Sequence, residues 1–485
     1  MFDNPAAWLL VALVVPCAFL AIKYWQRALF GVFVLLVFEG ALRKWAFPSA
    51  QAQIYLVKDG ILLAAYLGFI LDSRRKRPEP QGIGLIKIIL VISFVWGCIE
   101  VFNPNSPSIL VGFMGLKSYF LYVPVAFILP YAIKSREHLF VLIRRYIIIA
   151  IPVAVLGFIQ IAAGPASSLN VYVGSEDTPA MLAHFGRQGD FVRTSGTFSY
   201  ISGYAVFLTF IAFLGIGYNM AHAWRLKNNI TPIIALTLVV GAMFTTGSRG
   251  PIWMLLASGP VILWLAARSR VLSPQTAMRV FILVPVIAIL ALNISPAAVE
   301  AFMDRLAETQ DTSAYTLERL YQAPWETIGV LSYAPILGVG IGTTHSAALT
   351  IMGAEFPWWL GGLITEAEMA RVTHEQGPIG LLLTYSLRFL IPAFALRWAM
   401  RFKDPAYRVL GIVLAVYLTQ GIWISVILNA TAGLYYWGAF GVVLAMWRLE
   451  QPAGAELATR LVRRADATNL RPVPPNAGAV RRRPS

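Results

Sequence analysis

Three arginines in this chain stand in short polar, turn-forming surroundings beside long apolar runs. Arg193 lies in Arg193-Thr194-Ser195-Gly196-Thr197-Phe198 and Arg249 in Thr246-Gly247-Ser248-Arg249-Gly250-Pro251. Arg319 precedes Trp325 and the run Pro335-Ile336-Leu337-Gly338-Val339-Gly340-Ile341-Gly342. A guanidinium stays charged at every physiological pH, and its planar fork matches phosphate oxygens two at a time. Arginines at the ends of apolar segments suit an anion held at a membrane surface, and a membrane-embedded diphosphate bearing a sugar needs such a set. Taken singly, each arginine also fits an interfacial anchor or the partner of a loop carboxylate.

The elements that must position these residues are membrane spans. Of 485 residues, 58% are hydrophobic and only 13% charged, against roughly 45–50% apolar in soluble domains. Apolar runs long enough to cross a hydrocarbon core of roughly 30 Å recur along the chain. They predict an all-α, polytopic integral membrane helical bundle of about 12–13 transmembrane helices, with a large outer loop of short helices. The expected spans are 7–22, 28–43, 54–71, 84–102, 109–133, 146–163, 200–219, 230–246, 251–267, 280–294, 378–397, 409–428 and 431–447. The first follows an acidic Asp3 and reads as a span rather than a signal peptide.

The net charge of +15 points to the membrane and not to nucleic acid, because the basic residues gather at alternate span ends. Arg74-Arg75-Lys76-Arg77, Lys23 with Arg27, Lys134 to Arg145, Arg225 with Lys227, Arg268 with Arg270, Arg397 to Arg408, and Arg448 all fall on one side, which the positive-inside pattern makes cytoplasmic. One domain spans residues 1–450, with outer segments 164–199 and 295–377. Residues 451–485, rich in Ala, Pro and Arg, read as a disordered basic cytoplasmic tail drawn to the inner leaflet.

Several other residues could carry chemistry. Glu39, Lys58, Asp59, Glu100 and Lys117 fall inside spans, where charge is costly, and are expected to face the bundle interior. Lys58 and Asp59 are adjacent, so they point to different faces and need other partners; Lys117 is expected to pair with Glu39 or Asp59, the alternative being that it lines the path of a diphosphate. His184 and His345 read as surface loop residues, and with His374 they are too few for a zinc site. Cys17 and Cys98 have neither disulfide nor metal spacing. Trp358-Trp359 reads as part of an interfacial aromatic belt.

In this order, and on one side of the predicted membrane, the arginine patches resemble the O-antigen ligase / polysaccharide polymerase family of bacterial membrane glycosyltransferases. The resemblance lies in Arg-x-x-Gly-Thr-Phe before a span, Thr-x-Ser-Arg-Gly between spans, Arg…Trp…Pro-x-x-Gly-x-Gly in the large outer loop, and Glu375-Gln376-Gly377-Pro378-Ile379-Gly380 opening the next span. It covers roughly residues 185–400; Glu39 to Trp45 and Lys58-Asp59 are similar to an exopolysaccharide subgroup. It implies a multi-pass protein of the bacterial inner membrane that transfers glycan on the periplasmic side without metal or other cofactor. The implied donor is a glycan on polyprenyl (undecaprenyl) diphosphate, and the acceptor is another lipid-linked chain for a polymerase or lipid A–core for a ligase. A chain-length regulator or other polysaccharide-assembly protein is the implied partner.

On that resemblance Arg249 and Arg319 match the diphosphate-binding arginines, with Arg193 a third. The sequence departs from the family at the base. Where a ligase carries His, about nine residues before the Glu of Glu-x-Gly-x-x-Gly, this chain has Glu366, with Glu368 two further on and His374 beside Glu375. Glu368, Glu366 and His374 are therefore the candidate bases, and Arg371, three residues from Glu368, is a candidate cation at the same site. The departure favours a polymerase over a ligase. A lipid-linked oligosaccharide flippase or other transporter is the reading from a different class, opposed by the lack of any internal repeat.

Overall fold

A computed structural model describes residues 16–72, 80–173, 182–185, 190–307, 312–345, 348, 351–352 and 367–451, with the backbone alone at 228, 306 and 312–321. The expected span 7–22 (but for residues 16–22, which are helical), the Arg74–Arg77 cluster, Glu366, Trp358-Trp359 and nearly all of the 451–485 tail lie outside the described residues, as does the Arg319 side chain.

The architecture is all-α and polytopic, with ten helices among the described residues long and apolar enough to cross a membrane. In chain order the helices are α1 Trp25–Ala41, α2 Gln51–Leu71, α3 Ile83–Glu100, α4 Ile109–Phe120, α5 Val123–Ala132, α6 Arg136–Ala163, α7 Ile201–Ala221, α8 Leu226–Thr245, α9 Arg249–Arg268, α10 Pro274–Ile294, α11 Pro296–Ala307, α12 Thr312–Tyr333, α13 Glu368–Ala399, α14 Pro405–Thr419 and α15 Ala430–Glu450. The single run expected over 109–133 is a bent pair, α4 and α5, with a 40° break. A two-stranded antiparallel ladder, β1 His184–Phe185 with β2 Phe191–Val192, interrupts the 164–199 segment.

Burial sorts the helices into layers. About four fifths of the apolar window is buried in α7, α14 and α15, against 22% in α9 and 17% in α10, so the first three form the centre and the last two face lipid. The centre is aromatic: Phe210 stacks on Tyr435 with centroids 4.3 Å apart, and Tyr146 hydroxyl bonds Tyr435 hydroxyl at 2.7 Å. The Tyr146 and Tyr435 hydroxyls thus satisfy each other inside an apolar core.

The connections sort into two ends. At one end Arg136 pairs with Asp404, Arg448 donates to Ile133 O, Arg408 to Ser269 O, Arg279 to Ala223 O, and Trp25 to Asp72. These connections are the ones the charge pattern placed together. At the other end, Arg43 and Lys44 reach the 193–200 segment, and Asn103 reaches Leu337 O.

The outer segment ends in a helical arm. Helix α13 begins at Glu368 and breaks at Gly377 (φ 64°, ψ −170°), where the outer segment is expected to end. Glu368 Oε1 lies 3.1 Å from Arg388 Nη2, although twenty helical residues would separate them by about 30 Å. The chain therefore doubles back at Gly377, and residues 368–376 form a short arm packed beside the descending helix. The reversal has a local cause: Gly377 holds a backbone conformation that only glycine adopts readily, and Pro378 cannot donate to the preceding turn.

Candidate functional site

The Arg193 and Arg249 patches come together at the end that holds the 193–200 segment. Thr194 N donates to Thr245 O at 3.0 Å, and the Thr194 and Thr245 hydroxyls lie 2.6 Å apart. Arg193 Nε then donates to Thr246 O at 2.9 Å and Nη2 to Ser248 Oγ at 2.7 Å. Two arms of this guanidinium thus hold the turn that presents Arg249 as the first residue of α9. Burial, and after it the neighbouring charge of Arg305, lowers the Arg193 pKa. Arg305, on α11, brings a third cation that the sequence did not single out. The first amides of α9 have no intrahelical partners, and Ser248 supplies no side-chain cap, so this end of the helix favours anions.

A second layer lies inside the bundle. Lys58 pairs with Glu39 at 2.9 Å and Lys117 with Asp59 at 2.6 Å, while Arg43 lies 3.5 Å from Glu39. The expected pairing of Lys117 with Asp59 is present, and adjacent Lys58 and Asp59 do find separate main partners. Tyr122 hydroxyl donates to Asp59 at 2.9 Å. The Tyr55 ring lies under Lys58 Nζ (3.9 Å) and Lys117 Nζ (4.3 Å), a cation–π arrangement that offsets lost hydration. Three cations face two carboxylates, leaving an excess positive charge. Lys44 joins this layer to the first, donating to Ser195 Oγ at 3.0 Å and Gly196 O at 2.7 Å, as does Arg43 to Ser199 Oγ at 3.0 Å.

The third part is built from the glycine-rich run and the short arm of α13. Val339 N donates to His374 O and Gly340 N to Glu375 O, so the run lies along the arm like a ladder strand. Gly342 passes so close to Gly115 of α4 that a side chain at either would strike backbone. Glu375 is buried and accepts from Thr344 N (2.9 Å), Thr344 Oγ1 (2.7 Å) and Tyr119 hydroxyl (2.8 Å). His345, the next residue, is thereby fixed between α4 and the arm. Burial first, then the charges of Lys117 and Arg371, push its pKa down to about 4, so it is neutral at pH 7.

The candidate bases fare differently. Glu368 gives one oxygen to Arg388 and the other to Ser425 Oγ (2.9 Å) and Ile427 N (2.7 Å). The i,i+3 spacing to Arg371 holds along the arm, but a residue twenty positions on supplies the ion pair that anchors this carboxylate. His374 is 2% exposed, near the Tyr333 ring, with neither ring nitrogen hydrogen-bonded. Arg371 is half-buried one turn from Glu375. Arg388, over the Tyr436 ring at 4.8 Å, lines a cavity of about 40 Å3 with Tyr119, Gln376 and Ser93. Sequence reasoning passed over Arg388, although an arginine ten residues into an apolar span was signal enough.

Among the described residues no three His, Cys, Asp or Glu side chains converge as a metal-ligand set. Fold and site together define a multi-pass helical membrane protein with a cation-rich polar layer at one end of the bundle. No protein-family model matches the chain, and no curated protein matches it.

Proposed function

We propose that the protein transfers a glycan from a polyprenyl (undecaprenyl) diphosphate to the growing end of another lipid-linked chain, as a polysaccharide polymerase at the periplasmic face of a bacterial inner membrane. The observation that carries this reading is convergence. Cationic side chains from the 42–46 segment after α1, from α2, α4, α9, α11 and α13, and from the 193–200 segment gather at one end of an apolar bundle, where a lipid diphosphate would present its charge. Breaking the bond between sugar and diphosphate builds negative charge on the leaving group, and fixed cations in a dry site stabilise that charge. Arg249, Arg371 and Arg319 are the diphosphate ligands in this reading. Arg193 contributes by fixing the turn that carries Arg249.

A carrier for the same lipid-linked glycan is the second reading, and the Arg388–Glu368 pair favours it by placing charge beside a cavity deeper in the bundle. Purified protein reconstituted with a polyprenyl-diphosphate oligosaccharide separates the possibilities. A ladder of longer lipid-linked products is the expected result. Transfer only when lipid A–core is supplied would make it a ligase, and movement of the glycan lipid between leaflets without new bonds would make it a carrier.

A further inference from the structure

We propose that His345 accepts the proton of the acceptor hydroxyl, at a position bracketed by Lys117 and Arg371, and that these two cations hold phosphate oxygens of the donor. The inference rests on the transferase reading and assigns its base to a residue outside the Glu366–His374 stretch.

The geometry comes first. His345 follows Thr344, whose amide and hydroxyl both bond Glu375 Oε1. Its own amide donates to Gly342 O at 3.0 Å, and Gly342 is pressed against Gly115 of α4, two residues before Lys117. Arg371 is one helical turn before Glu375, on the same side of the arm. Three hydrogen bonds and one close backbone contact thus hold the His345 backbone between α4, which carries Lys117, and the arm, which carries Arg371. Both Glu368 oxygens are engaged deeper in the bundle, whereas His345 is half-buried beside the arm.

The charges around His345 give it an order of events. Lys117 and Arg371 face it from α4 and the arm, Asp59 stands behind Lys117, and Glu375 lies behind Thr344. Without an anion, burial and the two cations keep the imidazole neutral but poorly basic. A diphosphate seated on the cations reverses the local field, which favours the imidazolium and brings basicity toward the range of a working general base. The acceptor oxygen then attacks the anomeric carbon of the donor as the bond from that carbon to phosphate breaks. The diphosphate leaves with the electron pair, and the hydroxyl proton moves to a ring nitrogen of His345. Departure of the polyprenyl diphosphate restores the cationic field and expels that proton to water. Acceptor activation therefore waits on donor binding.

The test uses full-length protein in detergent, titrated with inorganic pyrophosphate by calorimetry from pH 8 to pH 6, beside His345→Gln. The wild type should tighten more than the variant as pH falls, by up to about tenfold per pH unit, and should take up a proton that the variant does not. The comparison cancels pyrophosphate's own titration. Arg371→Gln should weaken binding about tenfold at pH 8. In the product-ladder assay His345→Gln should lower kcat by roughly 10²–10⁴-fold with little change in donor KM, and abolish the rise of kcat with pH. Wild-type turnover by His345→Gln, or identical proton uptake by both proteins, would overturn the assignment. If Arg249→Ala abolishes the ladder while His345→Gln leaves it intact, only the base is misassigned. Proton-linked pyrophosphate binding with no transfer by the wild type would instead overturn the reaction itself.

Discussion

At the residue scale, the charges inside the spans were the most legible part of the sequence, and for a physical reason. An ion in hydrocarbon must find a partner, so Lys58, Asp59, Lys117 and Glu39 were bound to meet one another. Glu368 sits in polar sequence, with nothing in its surroundings to announce that the chain returns to Arg388. The same physics sets a prediction for the ion pairs. Removing one member leaves its partner buried and uncompensated, which costs about 3–5 kcal/mol, whereas replacing both can be nearly neutral. Lys58→Met should therefore lower the thermal midpoint in detergent sharply, and adding Glu39→Gln should restore much of the loss; additive losses would show that the pair is not coupled. Arg249 stands differently, since its turn is held by Arg193 and does not depend on Arg249 for its shape. Arg249→Ala should cut polymer formation by ~10²-fold with membrane insertion and thermal midpoint unchanged; an unfolded variant would mark the residue as structural.

At the scale of elements, the spans were legible as apolar runs, and the short arm of α13 was not. Residues 368–376 carry Glu368, Arg371, His374, Glu375 and Gln376, a composition that reads as solvated. It is instead largely buried, with Glu368 paired to Arg388, Ser425 and the Ile427 amide and Glu375 to Thr344 and Tyr119. Gly377-Pro378 was the available clue, because such a dipeptide marks a break. The glycine holds two features at once: a backbone conformation closed to other residues, and a contact with the backbone oxygen of Ile336 that a Cβ would overlap. Gly377→Ala must either open the hairpin or push the glycine-rich run away, and both displace Thr344 from Glu375. The expected outcome is a folded bundle whose arm becomes accessible, read as faster proteolysis within 368–376, with polymer formation lost. Unchanged proteolysis and activity would mean that the reversal at Gly377 is dispensable.

At the scale of the whole molecule, the chain separates two problems between two ends. One end carries basic connections tied to each other by Arg136–Asp404, Arg448–Ile133 and Arg408–Ser269. The other buries charge in pairs and gathers cations beside glycine-rich backbone. Neither composition nor hydropathy could show that the Arg193 turn, the Glu39–Lys58 pair and the Glu375 arm would be contiguous, because they come from segments up to 336 residues apart in the chain (Glu39 to Glu375). The link depends on Lys44 and Arg43 reaching Ser195 and Ser199, contacts with no sequence signature. The two-ended arrangement makes a prediction independent of any reaction. With Cys17 and Cys98 replaced by Ser, a single cysteine at Gly250 should react with a membrane-impermeant maleimide from the periplasmic side, and one at Lys403 only after the membrane is opened. Both positions are exposed. Labelling of both from one side would break the two-ended topology and, with it, the placement of the diphosphate. Labelling in the reverse sense would keep the fold but turn the cationic layer toward the cytoplasm, where a lipid-linked glycan would be built and not joined.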